Sequence, residues 1–424
     1  MPLAGFRLRT APFGTVDPRF PLLAYRSRPQ EDELLLSWVT RLARGNAVKL
    51  QTFVTDILGF HSQTLCRDLD RLRDEEFLAR LIKRVGCSYE QAFSTGLWAF
   101  EGRLWFEALG SGPVDWMMPM GRTHHDRRRV SSYSTQVCCA CLASDPIPYF
   151  RRFWRLALAV ACPIHGIYLR DCCPWCHGPI EFHTTDIGCR LLPETAPLMH
   201  CGKCGRDWCH EVWDEQDAPS ELVAFQRQLC HLLSAGWSAE LPGAEIYSPL
   251  FFAGLKRLLQ LLIQPGRCSR IRDFLALSRG ELLIEPPIQN PRRFEALRVG
   301  DRSRVLDSAR ELLDNWPNEF VSVARACRVS SSYIFSYRHP LPYWLHAPVQ
   351  AMLFDKDYSP TKQERNAAKN YLLRNGGTGS KDEVNGLLGV SSVLYARSQR
   401  DRWNPRGPNA RFKSAVLNPV RPAD

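Results

Sequence analysis

The chain has 424 residues, 45% hydrophobic and 23% charged, with 30 Pro and 27 Gly. That composition excludes a disordered or collagen-like polypeptide and leaves room for about three domains. Lys and Arg total 55 against 44 Asp and Glu, and the net charge of +11 favours a polyanionic partner. The longest weakly polar stretch, Leu156 to Leu169, is fourteen residues and contains Cys162, Pro163 and His165. This is too short for the roughly 20 apolar residues of a membrane helix. With no signal-peptide core after Met1, a cytoplasmic protein without a membrane partner is expected.

Residues 1–30 carry Arg7, Arg9, Arg19, Arg26 and Arg28 against one acid, Asp17, with five prolines, and are expected to form a basic extended arm without a core of its own. Residues 31–135 read as a helical N-terminal domain with helix-turn-helix-like spacing. Leu35, Trp38 or Val39, and Leu42 share one face of a first helix that stops at Gly45-Asn46. Further helices are predicted over Leu50–Leu58, Asp74–Val85 and Tyr89–Leu97, either as a DNA-reading unit or as a plain bundle. Thr123-His124-His125-Asp126 runs into Arg127, Arg128 and Arg129, which reads as a cationic turn suited to nucleic acid rather than as a metal site. Tyr149 to Leu156, aromatic and cationic, is predicted as short strands. Residues 220–350 form a second helical domain, with helices over Leu222–Leu233, Leu250–Ile263 and Arg302–Asn315. Residues 355–424 form a C-terminal helix-turn-helix-like segment with a frayed tail.

Sixteen cysteines are many for a cytosolic chain, and eleven of them lie between Cys138 and Cys209. Within residues 136–215, a tandem zinc-ribbon region, four pairs have a two-residue gap: Cys138 and Cys141, Cys162 and His165, Cys173 and Cys176, Cys201 and Cys204. Such a gap lets a tight knuckle present two ligands to one tetrahedral ion. Taken in order, the pairs make a three-cysteine, one-histidine set and a four-cysteine set, hence two structural zinc ions; interleaved pairing uses the same ligands and stays open. Gly166, Gly178 and Gly205 sit where a knuckle needs a small residue. Cys139 and Cys172 have poorer spacing, and Cys66, Cys87, Cys230, Cys268 and Cys327 read as small buried residues. Four protein ligands leave no vacancy for water. With neither His-Glu-x-x-His nor Gly-x-Ser-x-Gly present, no catalytic residue is assigned and no enzyme is expected.

Two further blocks stand out. The first is Pro29-Gln30-Glu31-Asp32-Glu33-Leu34-Leu35-Leu36-Ser37-Trp38-Val39-Thr40-Arg41-Leu42-Ala43-Arg44-Gly45-Asn46, an acidic-Ser-Trp helix before an Ala-Asn turn. The second is Cys138-Cys139-Ala140-Cys141-Leu142, Phe153-Trp154-Arg155-Leu156-Ala157, Cys162-Pro163-Ile164-His165-Gly166 and Cys173-Pro174-Trp175-Cys176. Together they resemble the TniQ/TnsD family of transposition target-selection proteins. Gln30 departs from the family's lead-in. His177-Gly178 stands where Gly commonly follows the ligand directly, which weakens the knuckle around Cys176. The resemblance implies a non-catalytic adaptor linking target DNA, or a guide-RNA complex bound to DNA, to the AAA+ ATPase regulator of a transposase. It leaves room for a homodimer. The arm from Phe6 to Arg28, with Phe13, Phe20 and Tyr25, and the Trp38 helix are the expected ATPase contacts.

Two stretches have helix-turn-helix grammar. In the last, Lys381 to Leu388 leads through Gly389 to Ser391 and Ser392 and a helix bearing Arg397, Gln399 and Arg400, with Arg402 just beyond. Residues 360–413 hold eleven cations and four anions, a surplus suited to phosphate contacts. The other runs from Phe320 through Arg328-Val329-Ser330 to Tyr337. Asn375 to Lys381 lacks the Gly-Lys-Ser/Thr of a phosphate loop. The fold class expected is mainly α with small zinc-ribbon (α+β) modules, helix-turn-helix-like domains flanking two zinc fingers. The alternative function is a zinc-containing helix-turn-helix transcription regulator.

Overall fold

The computed structural model describes residues 22–106, 109, 114–118, 133–184, 198–209, 216–238, 246–263, 269–280, 293–329, 331–334, 341–353 and 362–388. It is mainly helical and divides into two compact units, Met1–Ser234 with Arg298–Gly300, and Ala235–Leu297 with Asp301–Asp424. No helix among the described residues is long and apolar enough to cross a membrane.

In the first unit, α1 (Leu35–Gly45) is amphipathic and buried along most of its length from Leu35 to Ala43. It ends at Gly45, where any Cβ would fall 2.0 Å from the Tyr25 ring. Asn46 then clasps residue 25 twice: its Oδ1 accepts from Tyr25 N at 3.0 Å and its Nδ2 donates to Tyr25 O at 2.8 Å. Trp38 Nε1 donates to Ser27 O at 2.9 Å, and Arg41 Nη2 donates to Arg28 O at 3.1 Å. Residues 22–28, read from sequence as the end of a coreless arm, are therefore tied to α1. Residues 1–21 lie outside the described residues.

A one-turn α2 (Leu50–Thr52) runs on as a π-turn over Phe53–Ile57 and stops near Gly59, whose φ is +74°. The next helix, α3 (Glu75–Val85), starts at Asp74, whose carboxylate accepts from Phe77 N at 3.0 Å, and ends at Gly86 in the left-handed region. The short α4 (Tyr89–Phe93) opens with a Ser88–Gln91 capping box.

The strands predicted at Tyr149–Leu156 do not form; Arg152–Arg155 is a 3-10 turn flanked by isolated bridges, Glu33 with Arg151 and Met117 with Leu156. There the backbone pairs with itself, Trp154 N donating to Arg151 O and Leu156 N to Phe153 O, both at 3.1 Å, while the stretch that follows, Leu156–Ala161, is fully buried. Gln226 Oε1 accepts from Val160 N at 2.7 Å and from Ala161 N at 3.1 Å, and its Nε2 donates to Leu158 O at 3.1 Å. Gln136 Nε2 donates to Leu156 O and Ala159 O. Two glutamine side chains thus do the work of a neighbouring strand. Gln226 sits on α6 (Ser220–Ala235), and α5 (Cys139–Ser144) opens the cysteine-rich segment.

The second unit begins with β1 (Trp237–Ser238) and β2 (Ile246–Tyr247), an antiparallel pair and the only sheet among the described residues. Next, α7 (Ser248–Ile263) is buried around most of its surface. Its Gly254 lies flat against Trp344, whose Nε1 donates to Leu250 O at 3.0 Å and whose ring stacks on Phe251 at 5.7 Å. Then come α8 (Ser269–Ser278), α9 (Val299–Leu313), α10 (Asn318–Ala326), α11 (Ser331–Ile334) and α12 (Tyr343–Leu353). A turn with Arg328 at φ +55° joins α10 to α11. Finally α13 (Lys362–Arg374) and α14 (Lys381–Leu387) pack through Ala368, Leu372 and Val384. In the glycine-rich loop between them, Glu383 accepts from Thr378 N and Oγ1, both at 2.9 Å. An acid of the chain itself thus takes that amide, consistent with the loop not being a phosphate site.

Candidate metal centres

The eight ligand candidates gather into two groups in sequential order. Cys138, Cys141, Cys162 and His165 form one and Cys173, Cys176, Cys201 and Cys204 the other, the ligand atoms of each lying within 4.8 Å of one another. Interleaved pairing does not occur.

In the first group the two halves are built differently. Cys138 is the N-cap of α5, its Sγ accepting from Cys141 N at 3.4 Å, so a helix start brings both sulfurs to one side. Cys162 and His165 sit on a knuckle: His165 N donates to Cys162 Sγ at 3.4 Å, and Gly166 N donates to Cys162 O at 2.9 Å. The Cys141 and Cys162 sulfurs are 3.6 Å apart, and His165 Nδ1 lies 3.3 to 3.6 Å from the three sulfurs.

In the second group both halves are knuckles of the same design. His177 N donates to Cys173 O at 2.9 Å and Gly205 N to Cys201 O at 2.8 Å; the chain then returns through Cys173 N to Gly178 O and Cys201 N to Arg206 O. The Cys173–Cys204 and Cys176–Cys201 sulfur pairs are each 3.7 Å apart. All three knuckles need a left-handed residue just after the second ligand. Gly166 (φ +72°) and Gly205 (φ +73°) supply it freely, and His177 (φ +53°) does so under strain.

These separations fit a metal rather than a disulfide. A disulfide needs about 2.05 Å between sulfurs, whereas ligands at about 2.3 Å from a tetrahedral centre stand about 3.8 Å apart, and a sulfur and an imidazole nitrogen about 3.6 Å. Packed thiolates repel one another unless a cation lies among them. Burial raises the Cys173 and Cys176 thiols and hydrogen bonding to Cys141 and Cys162 raises Cys138, while hydrogen bonds to Cys138 and Cys141 lower Cys162 and, against burial, those from the Cys204 and Lys203 backbone lower Cys201. Each group could therefore hold one metal ion, and its donor chemistry is compatible with zinc. Cys139 is kept out of the first group: its Sγ points to Trp208 O at 3.2 Å.

Two charge clusters, which sequence reasoning missed, join the sequence blocks. Arg155 is 1% exposed and pairs with Asp68 at 2.7 Å and Asp70 at 3.0 Å. Burial foremost, and Asp68 besides, push the Asp70 carboxyl up to about 7 against the pull of Arg155. In the same unit His183 is half-buried, and burial lowers it to about 4, so it stays neutral. At the start of α1, Glu33 accepts from Ser37 Oγ at 2.9 Å and from Arg41 at 2.6 and 2.8 Å, while Ser37 Oγ accepts from Phe150 N at 2.9 Å. The spacing Glu33, Ser37, Arg41, every fourth residue, is the signal that could have found this second cluster. Residues 24–169 match the TniQ family model. The match spans 146 of the 424 residues. That span holds α1, both charge clusters' partners up to Arg155, and the complete Cys138–His165 group. The four-cysteine group lies beyond it. No curated protein matches the chain.

Arg127, Arg128, Arg129, Ser391, Ser392, Arg397, Gln399, Arg400 and Arg402, assigned from sequence to nucleic acid, lie outside the described residues. The α14 half of the last helix-turn-helix candidate and the α10–α11 pair are helical as expected.

Proposed function

We propose that the chain, transposition-associated by its match to the TniQ model over residues 24–169, is a non-catalytic target-selection adaptor that links target DNA, or an RNA-guided complex bound to DNA, to the AAA+ ATPase regulator of a transposase. The observation that carries this reading is the match over residues 24–169, in which the acidic-Ser-Trp helix and the Cys–Trp-Arg-Leu–Cys-Pro-x-His block meet through Ser37 and Phe150. The ions are zinc, one per group. Each would supply charge neutralisation and cross-linking only, since four protein ligands fill a tetrahedral site and leave no position for a substrate. The Cys138 group ties α5 to the 162–165 knuckle, and the second group ties two knuckles of a segment that has few strands to hold it.

DNA contact falls to the C-terminal cations, which meet phosphate without reading bases. The test is capture of the cognate ATPase by the full chain, with and without target DNA. An adaptor retains the ATPase; a promoter-binding regulator binds DNA and leaves the ATPase in solution.

A further inference from the structure

The two metal groups differ in cover and strain. In the first, Cys138, Cys141 and Cys162 are at most 1% exposed and the less covered member is the imidazole of His165, so all three sulfurs are shielded. In the second, Cys173 and Cys201 are buried while Cys176 and Cys204 are only half-buried. Each half-buried sulfur stands 3.7 Å from a buried one, Cys176 from Cys201 and Cys204 from Cys173. Strain singles out Cys176, whose knuckle is the one closed by a non-glycine residue in the left-handed region, His177. Charge points the same way, because four thiolates on a divalent ion leave a net −2 and three leave −1, so the second group keeps the more electron-rich sulfurs.

We propose that the four-cysteine group is an oxidation site, at which a peroxide-class oxidant attacks Cys176, links it to Cys201 and releases one metal ion, while the Cys138 group keeps its own. The Cys176 thiolate attacks one peroxide oxygen, the O–O bond breaks and hydroxide leaves. The Cys201 thiolate then attacks the sulfenic sulfur, the S–O bond breaks and a second hydroxide leaves. Two protons convert both hydroxides to water, the two sulfurs lose one electron each, and the metal loses two of its four ligands. This rests on the metal reading above, so metal content is measured first.

The experiment uses the full-length, zinc-loaded protein and hydrogen peroxide. Total zinc is determined before oxidant is added, and a value below two per chain contradicts the metal reading itself, separately from the oxidation site. Release is then followed with a chromophoric zinc indicator, and cysteines are mapped by alkylation and mass spectrometry. The expected result is one equivalent released in a distinct fast phase, a Cys176–Cys201 disulfide, and Cys138, Cys141 and Cys162 still protected. His177→Gly keeps every ligand and removes the strain, and should slow the fast phase by at least about fivefold. Release of both equivalents in one phase, first loss from the Cys138 group, a disulfide through Cys172 or Cys209 instead, or an unchanged rate in His177→Gly would each overturn the proposal.

Discussion

Arg155 donates to Asp70 at 3.0 Å in a setting where the arginine is 1% exposed and the aspartate wholly buried, although the two are 85 residues apart in sequence. Asp70 in turn accepts from Leu36 N, at the start of α1, at 2.8 Å. The pair thus joins the Trp-Arg-Leu block of the cysteine-rich segment to the first helix of the same unit. Removing Arg155 leaves the Asp70 carboxyl buried without its cation, so above about pH 7, where Asp70 is ionised in the intact chain, Arg155→Met is expected to cost roughly 3–5 kcal/mol of stability. Chemical denaturation checks this, and a cost under about 1 kcal/mol would mean that the arginine is solvated.

The same site has a pH signature. The Asp70 carboxyl titrates near 7 in the folded chain, against an ordinary value near 3.8, chiefly because it is buried. The folded state therefore binds the extra proton between about pH 4 and pH 7. This site makes stability fall as pH rises through that window and level off above it. Asp70→Asn should remove this component, flattening the fall by up to about 1.4 kcal/mol per pH unit. Denaturation midpoints from about pH 5.5 to 8 measure it; equal slopes in the two proteins would contradict it.

Both metal groups are legible in the sequence, because ligand spacing is a local property and a knuckle is a local structure. Spacing also favours Cys138 and Cys141 over Cys139, and the structure uses Cys139 against Trp208 instead. What escapes the sequence is non-local. Residues 22–28 look coreless because the groups that hold them, Asn46, Trp38 and Arg41, are supplied by a helix further along. Arg155 looks like a surface cation because nothing near it in sequence announces Asp68 and Asp70. Tyr149–Leu156 looks strand-like from its aromatic and cationic residues, and the contacts that fix its backbone, such as Arg152 N on Asp32 O, come from residues far away in sequence. His177 is legible as a departure from a pattern, and its positive φ gives that departure a physical meaning.

Among the described glycines of the second unit Gly254 is the most tightly packed, and an added Cβ would come within 2.1 Å of the Trp344 ring. Trp344 is held by Leu250 and Phe251 and has little room to move. Gly254→Ala should therefore destabilise by roughly 1–3 kcal/mol in spite of alanine's better helix propensity. A thermal melt that shows stabilisation would reverse the sign and the packing argument with it.

Cys141→Ser removes a candidate ligand that is 1% exposed and lies 3.3 Å from His165 Nδ1. A structural zinc is worth on the order of 10 kcal/mol of apparent binding energy. The variant should lose about one zinc and the fold around α5, measured by metal analysis and limited proteolysis. A soluble variant that retains two zincs would show that another residue completes the group.

Removing residues 356–424 deletes most of the chain's C-terminal cationic surplus, including Arg397, Arg400 and Arg402. DNA affinity should fall, and its salt dependence should flatten by roughly 0.9 in slope for each phosphate that the shortened chain no longer neutralises. The triple alanine variant at those arginines, in the otherwise intact chain, should flatten it by up to about 2.7. An unchanged slope in both would place the DNA-binding surface elsewhere in the molecule.

That the chain connects DNA to an ATPase is tested most directly by co-purification of the cognate AAA+ regulator with the tagged, zinc-loaded full chain. Performed with and without target DNA, it should recover the ATPase with the protein, with recovery rising when DNA is present. Recovery of the chain and DNA with no ATPase above the level of an untagged control, in either arm, would contradict the adaptor role and leave a DNA-binding regulator in its place.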